Sequence, residues 1–396
     1  MKKVLLIEDD KVVTSIYSSK LQMEGYQIAI ASDGESGVKS IEMMMPDLVV
    51  LDLGLPKMNG VEVLKLIRAN PLWNHLPVIV FTNAYLGNMV QDAWKAGATA
   101  CLVKSSCTPR QLIEVLKKHL DAPAAAAPAA IHAVAAPAPV QAPVESDADA
   151  AFQAELRLSF TQSAPASINA LRTLLQAFGK GENDAERMSK LKELHQKTRS
   201  LTGNAGMAGF EVVSRMSMAL EALLKELYEK PASINPSVLR TVAQTIDCIA
   251  MLMEKGSALA EFPAKDVNIL VVDDELLSRR AVIYALEKAQ LKCVSVEDST
   301  VAKGMLDENR FGLIILDVDM PVMDGFALCK HARSTVRNQK TPVIFVTSLS
   351  DFENRTKSAL SGGNDLIAKP FLFIELAVKA LGYVLKGQLE EALKSR

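Results

Sequence analysis

The chain repeats itself. An offset of 265 residues carries Glu8 onto Asp273, Asp9 onto Asp274, Asp52 onto Asp317 and Pro56 onto Pro321, without a gap. The same offset carries Met58 onto Met323, Gly60 onto Gly325, Pro77 onto Pro342, Thr82 onto Thr347, Gly97 onto Gly362 and Lys104 onto Lys369. A match at one fixed offset requires two copies of the same folding unit. Each copy holds short, apolar runs rich in β-branched residues: VLLI (4–7), LVVL (48–51), VIVF (78–81) and ACLV (100–103), then NILVV (268–272), GLIIL (312–316), VIFV (343–346) and a last run near 366–368. Segments of helical length lie between them, such as 60–68 and 89–96. This is the βαβ rhythm of a doubly wound parallel sheet covered on both faces.

What separates the copies is of two kinds. Residues 121–150 mix Ala, Pro and Val with no period, and their prolines block helix and strand alike, so an extended or disordered linker is expected there. Residues 151–262 hold no strand-like run. Apolar residues at helical spacing near 152–178, 184–205, 209–230 and 236–255 predict four helices with short connections, an antiparallel bundle. The expected plan is an α/β domain at 1–120, a linker at 121–150, an all-α four-helix bundle at 151–262 and a second α/β domain at 266–396. That last domain closes with a helix over 371–396, apolar at Leu376, Val378, Leu381 and Val384.

Charge and composition exclude several classes. Lys+Arg number 44 against 46 Asp+Glu, a net charge of −2, which lacks the basic footprint of a nucleic-acid binder. The five cysteines, Cys101, Cys107, Cys248, Cys293 and Cys329, form no CxxC and read as incidental thiols of a reducing compartment. His75, His119, His132 and His331 sit in no ligand pair. The apolar run at the start, 4–7, is too short for a secretory core, and no stretch approaches the ~18 apolar residues of a membrane span. The expectation is a soluble, cytoplasmic protein with no membrane and no nucleic-acid partner. No Gly-rich phosphate loop with Lys occurs, so kinase and ATPase chemistry are not expected.

The coinciding polar residues all follow strands: Glu8 and Asp9 the first, Asp52 the third, Thr82 the fourth and Lys104 the fifth. In an open parallel sheet the carboxyl ends of the strands share the edge where ligands bind. Three carboxylates crowded there repel, and a divalent cation plus an ammonium would relieve the cost. Oxygen ligands completed by water suit Mg²⁺. Asp52 can then act as a nucleophile toward phosphorus, with Thr82 and Lys104 holding the phosphoryl oxygens, and Asp317 likewise with Thr347 and Lys369.

The motifs LLIEDD, LDLGLPKMNG, FTN and LVK in the first copy, and LVVDDE, LDVDMPVMDG, VTS and AKP in the second, resemble the receiver domain of bacterial two-component response regulators. The resemblance spans about 1–120 and 266–388 and implies a flavodoxin-like fold with a five-stranded parallel sheet. It implies that Asp52 and Asp317 accept a phosphoryl group from a phosphohistidine donor. By the same resemblance Asp9 and Asp274 ligate Mg²⁺ directly, Glu8 and Asp273 act through water, and the backbone carbonyls of Gly54 and Asp319 complete the site. The implied partners are a sensor histidine kinase or phosphotransfer protein and a downstream signalling protein, with self-association through the receivers as a further expectation. Departures bear on output. Cys101 and Leu366 stand where the family carries a switching aromatic, Ser105 follows Lys104 in place of Pro, and Asn83 replaces a small residue after Thr82.

The middle segment LHQKTRSLTGNAGMAGF (194–210) resembles the central helix of histidine phosphotransfer domains, whose pattern is close to H-S-L-x-G-S-A-G-x-x-G-F. Aligning Ser200, Leu201, Gly203, Ala205, Gly206, Gly209 and Phe210 puts Arg199 where that family has its phosphorylated histidine. On a helical wheel Leu191, Leu194, Thr198, Leu201, Ala205 and Ala208 make the buried stripe, and Lys192, Gln196, Arg199 and Gly203 lie opposite. Those four are the expected docking face for a receiver, with Gly203 leaving room one turn beyond Arg199. Arg199 cannot carry phosphate in this chemistry, but its guanidinium suits a carboxylate pocket. His195, nearer the buried stripe, is the alternative phosphoacceptor. The reading is a signalling protein, not an enzyme, with two Mg²⁺-dependent receivers and a bundle that has lost its histidine. The alternatives are an active relay through His195 and a receiver that serves as a phosphate sink for a shared kinase.

Overall fold

The computed structural model describes residues 1–82, 89–104, 107, 109–120, 147–256, 267–348, 358 and 360–394. The chain divides into two compact units, Met1–Ala164 with Arg199–Ser214, and Pro165–Thr198 with Arg215–Arg396.

The first unit opens with β1 (Lys3–Ile7), α1 (Lys11–Met23), β2 (Gln27–Ala31), α2 (Gly34–Met44) and β3 (Leu48–Leu51). It continues with α3 (Gly60–Ala69), β4 (Val78–Thr82), α4 (Met89–Lys95), β5 (Ala100–Val103) and α5 (Pro109–Leu120). The strands form one parallel sheet in the order β2-β1-β3-β4-β5. Successive side chains point to opposite faces of a strand, so each apolar run feeds two cores. Leu5, Ile7, Val49, Leu51, Val78 and Val80 enter one cluster, while Val4, Leu6, Leu48, Val50, Ile79 and Phe81 enter the other. That is why these runs are continuous rather than alternating. Asn59 caps α3 through a reciprocal box with Glu62. A Cβ on Gly60 would lie 2.1 Å from the Asp52 carbonyl oxygen, so only glycine lets this helix start against the β3 end.

The second unit repeats the plan with β6 (Ile269–Val272), α10 (Leu276–Lys288), β7 (Cys293–Val296), α11 (Ser299–Glu308), β8 (Leu313–Asp317), α12 (Gly325–Ser334), β9 (Val343–Thr347) and β10 (Asp365–Ala368). Its sheet runs β10-β9-β8-β6-β7, the same order read from the other edge. A Cβ on Gly325 would likewise lie 2.1 Å from the Asp317 carbonyl oxygen. The closing helix α13 (Phe373–Lys394) buries Leu376, Val378, Leu381 and Val384 as expected. Its buried Glu375 accepts hydrogen bonds from Ser237 Oγ (2.7 Å) and Thr241 Oγ1 (3.1 Å), and Lys379 pairs with Asp365 at 2.6 Å.

The duplication reaches parts the motif comparison did not single out. Arg68 donates to the Gly97 and Leu76 carbonyls, both at 2.9 Å. Arg333, at the same offset, donates to the Gly362 and Thr341 carbonyls at 2.9 and 2.7 Å. Gly97 and Gly362 both adopt left-handed φ, +91° and +90°.

Among the described residues between the copies lie four α-helices: α6 (Asp147–Lys180), α7 (Asp184–Met207), α8 (Glu211–Glu229) and α9 (Pro236–Gly256). Helix α6 begins inside the expected linker, so residues 147–150 belong to the helix. The rest of that linker, 121–146, lies outside the described residues, as do Asn83 and Ser105. The α7 stripe Leu191, Leu194, Thr198, Leu201, Ala205 and Ala208 is buried throughout. Lys192 and Gln196 are exposed and His195 half-buried, but Gly203, expected on the exposed side, is buried. Residues 199–214 belong to the compact unit of the first sheet, so this end of α7 is not a free helix face as the wheel assumes.

Candidate functional site

At the carboxyl edge of the first sheet, Glu8 and Asp9 follow β1, Asp52 follows β3, Thr82 ends β4 and Lys104 follows β5. Glu8, Asp52, Thr82 and Lys104 are buried, and Asp9 is exposed. One oxygen from each of the three acids lies within 4.8 Å of the others. Lys104 Nζ sits 2.5 Å from Glu8 Oε2 and 2.9 Å from Asp52 Oδ2. Burial pushes Glu8 up to about 7 against the pull of Lys104. Burial would also raise Asp52, but Arg199 and Lys104 outweigh it and hold that carboxyl well below its usual range. Burial opposes the charge of Lys104, yet Asp52 and Glu8 together raise its pKa. Partial withdrawal of the Asp9 carboxylate from water raises it, with Arg199 opposing.

Arg199 is the remaining member of this pocket. Its Nη2 donates to Asp9 Oδ1 at 3.0 Å and to Asp52 Oδ2, and its Nη1 donates to the Gly54 carbonyl. The next residue, Ser200, donates from Oγ to Asp10 Oδ2 at 2.9 Å. Three acceptor oxygens, from Asp9, Asp52 and Gly54, thus converge on one cationic group. The same hard oxygen set fits Mg²⁺.

The second edge has the same plan with different contacts. Asp273 and Asp274 follow β6, Asp317 ends β8, Thr347 ends β9 and Lys369 follows β10. One oxygen from each of Asp273, Asp274 and Asp317 again lies within 4.8 Å of the others. Lys369 Nζ is 3.1 Å from Asp273 Oδ2 and 3.2 Å from Asp317 Oδ1, and its side chain keeps 18% of its exposure against 3% for Lys104. Ser278 Oγ donates to Asp273 Oδ2 at 2.5 Å. Asp317 is raised by burial, with Lys369 opposing. Asp319 is exposed and Asp274 exposed, while Thr347 is buried. Cys101 and Leu366, at the switch positions, both pack partly buried against their own sheet's core.

Among the described residues no helix is long and apolar enough to cross a membrane. A family model, the response regulator receiver domain, matches residues 4–117 and 269–381. The transcriptional activator protein IrlR of Burkholderia pseudomallei (strain 1026b) is 32% identical over 126 residues, 32% of this chain and 54% of that protein. The transcriptional regulatory protein ResD of Bacillus subtilis (strain 168) is 38% identical over 120 residues, 29% of this chain and 48% of that protein. The chain thus spans about half the length of these curated relatives. The solved receiver domain of a sensor histidine kinase from Pseudomonas aeruginosa PAO1, with a magnesium ion coordinated in its active site cleft, is 26% identical, with 31% of this chain and 98% of that chain covered and a TM-score of 0.29.

Proposed function

Because the chain belongs to the response regulator receiver family, with two copies of its domain, we propose that it takes part in phosphorelay signalling by accepting phosphoryl groups on Asp52 and Asp317. The observation that carries this reading is the recurrence of one acid–threonine–lysine set at the carboxyl edge of both sheets. The donor is a phosphohistidine on a sensor kinase or phosphotransfer protein. Its N–P bond breaks as the bond from phosphorus to the aspartate Oδ forms, and the imidazole leaves. Lys104 and Lys369, already against their acceptors, are placed to hold the transferred oxygens, and the Thr82 and Thr347 hydroxyls stand at the ends of the neighbouring strands. Mg²⁺ held by Asp9, Asp52 and the Gly54 carbonyl, or by Asp274, Asp317 and the Asp319 carbonyl, would neutralise charge on the phosphoryl group.

The four central helices act in this reading as a histidine-phosphotransfer-like bundle whose acceptor position is Arg199. Output runs through protein contacts rather than turnover of a small molecule. The test is labelling of the full chain with a small phosphodonor and Mg²⁺. The Asp52→Asn, Asp317→Asn double variant should lose all acid-labile, hydroxylamine-sensitive phosphate, and each single variant should keep the label of the other site. Retained acid-labile, hydroxylamine-sensitive label in the double variant overturns the assignment. Acid-labile but alkali-stable label that disappears in His195→Ala would favour the relay through His195 instead.

A further inference from the structure

The first acceptor pocket already holds a cation, and it comes from this chain. We infer that the Arg199 guanidinium stands in for the divalent cation at the first receiver, so that arginine and metal exclude each other and metal binding releases this end of α7. The inference rests on the receiver reading above and concerns what regulates that site.

The contacts carry it. The three groups proposed to hold Mg²⁺, the carboxylates of Asp9 and Asp52 and the carbonyl of Gly54, are all occupied by Arg199 donors. A guanidinium is planar, permanently charged and presents several N–H donors at once, so one residue can satisfy oxygens that otherwise need a metal. The fit is close. A Cβ built on Gly54 would lie 2.8 Å from Arg199 Nη1, 2.9 Å from Cζ and 3.0 Å from Nη2. The guanidinium therefore lies flat against the one backbone position that has no side chain, and a hydrated metal has no room beside it.

Two further contacts anchor the arrangement. Ser200 reaches Asp10 at 2.9 Å, and Asp10 also accepts from the Val13 amide at 3.3 Å at the start of α1. Met207, at the end of α7, is buried in the same apolar cluster as Val13, Tyr17, Cys107 and Leu112. The arginine is thus the polar end of a contact that also buries apolar surface. A phosphoryl group on Asp52 Oδ2 would occupy the place of Arg199 Nη2, so phosphorylation and the arginine contact compete as well.

The experiment uses the full chain with Asp274→Asn, which confines divalent binding to the first site. Mn²⁺ affinity is read from the free-ion electron paramagnetic resonance signal. Arg199→Ala should bind Mn²⁺ at least tenfold more tightly than its parent, since alanine is a good helix former and leaves the metal donors untouched. Gly54→Ala should shift affinity the same way, because its Cβ expels the guanidinium and keeps the carbonyl. Saturating Mg²⁺ should speed amide exchange over residues 199–210 in the parent and not in Arg199→Ala. Equal Mn²⁺ affinities in parent and Arg199→Ala overturn the inference and leave the receiver reading intact. No Mn²⁺ binding in either overturns both.

Discussion

The two receivers share a sheet order, a glycine under each acceptor and the same acids at the same edge, yet their pockets are in different electrostatic states. In the first, Asp52 faces Lys104 and Arg199 and is held well below the usual carboxylate range, outweighing burial. In the second, Asp317 faces Lys369 at 3.2 Å, and burial prevails, raising it. The difference arises outside the repeat, since Arg199 belongs to the central helices and has no counterpart in either copy. Duplication preserves the acids, the threonine and the lysine at each sheet edge. What is added between the copies sets the electrostatic state of Asp52 alone.

The largest expected divergence concerns the two lysines. Lys104 is buried between two carboxylates, whereas Lys369 is partly open to water. Lys104→Ala leaves Glu8 and Asp52 buried with less positive charge, and breaking a buried pair costs about 3–5 kcal/mol. Lys369→Ala should cost less, between that value and the ~1 kcal/mol of an exposed pair. Both tryptophans, Trp73 and Trp94, lie in the first copy, so indole fluorescence follows that receiver alone during urea unfolding. With EDTA present, its midpoint should fall steeply in Lys104→Ala and stay put in Lys369→Ala, while circular dichroism reports the smaller loss in the second. Equal losses would mean that burial does not distinguish the two pockets.

A smaller difference is expected at the two arginine braces. Arg68→Ala frees the Gly97 and Leu76 carbonyls, and leaving such partly buried acceptors unpaired costs ~1–3 kcal/mol. Arg333 makes those two bonds, reaches Asn364 Oδ1 at 3.1 Å where Arg68 reaches the equivalent Thr99 Oγ1 only at 3.5 Å, and adds the Asn338 carbonyl at 3.2 Å. Arg333→Ala should therefore be the more harmful of the two. A reversed order would show that the extra bonds merely replace water.

The sequence made different parts of this molecule legible to different degrees. Strands buried on both faces, such as Leu48–Leu51 and Val343–Thr347, read directly as apolar runs. The edge strands Gln27–Ala31 and Cys293–Val296 do not, because each is covered on one side of its pairing only and its residues stay partly exposed. The acid, threonine and lysine positions were readable because they recur at one offset. Arg68 and Arg333 recur at that offset too, and extending the comparison to charged helix ends would have found them. The sequence offered Arg199 for a carboxylate pocket but not which one, since its partners Gly54, Asp52 and Asp9 lie 145, 147 and 190 positions away and meet it only through tertiary packing. The burial of Gly203 follows from the same packing.

The same offset separates chemistry from filling among the cysteines. Cys101 and Cys107 fall on Leu366 and Leu372, while Cys293 and Cys329 fall on Ile28 and Leu64. A residue of the carboxylate site recurs as itself or as a chemical equivalent, as Asp52 does in Asp317 and Glu8 in Asp273. These positions instead exchange thiols for aliphatic side chains, which fits cysteine used as a small apolar residue. Burial pushes Cys101 and Cys107 up to about 12 and also raises Cys293 and Cys329. A raised thiol pKa lowers the thiolate fraction, and at pH 8 a group near 12 is ionised to on the order of 10⁻⁴. Alkylation of the native chain at pH 8 should therefore be slow at Cys101, Cys107 and Cys329. Half-buried Cys293 on the edge strand should react first, and urea should release all of them. Rapid native labelling of Cys101 would show a reactive thiol at the switch position of the first receiver, with a role that Leu366 cannot share.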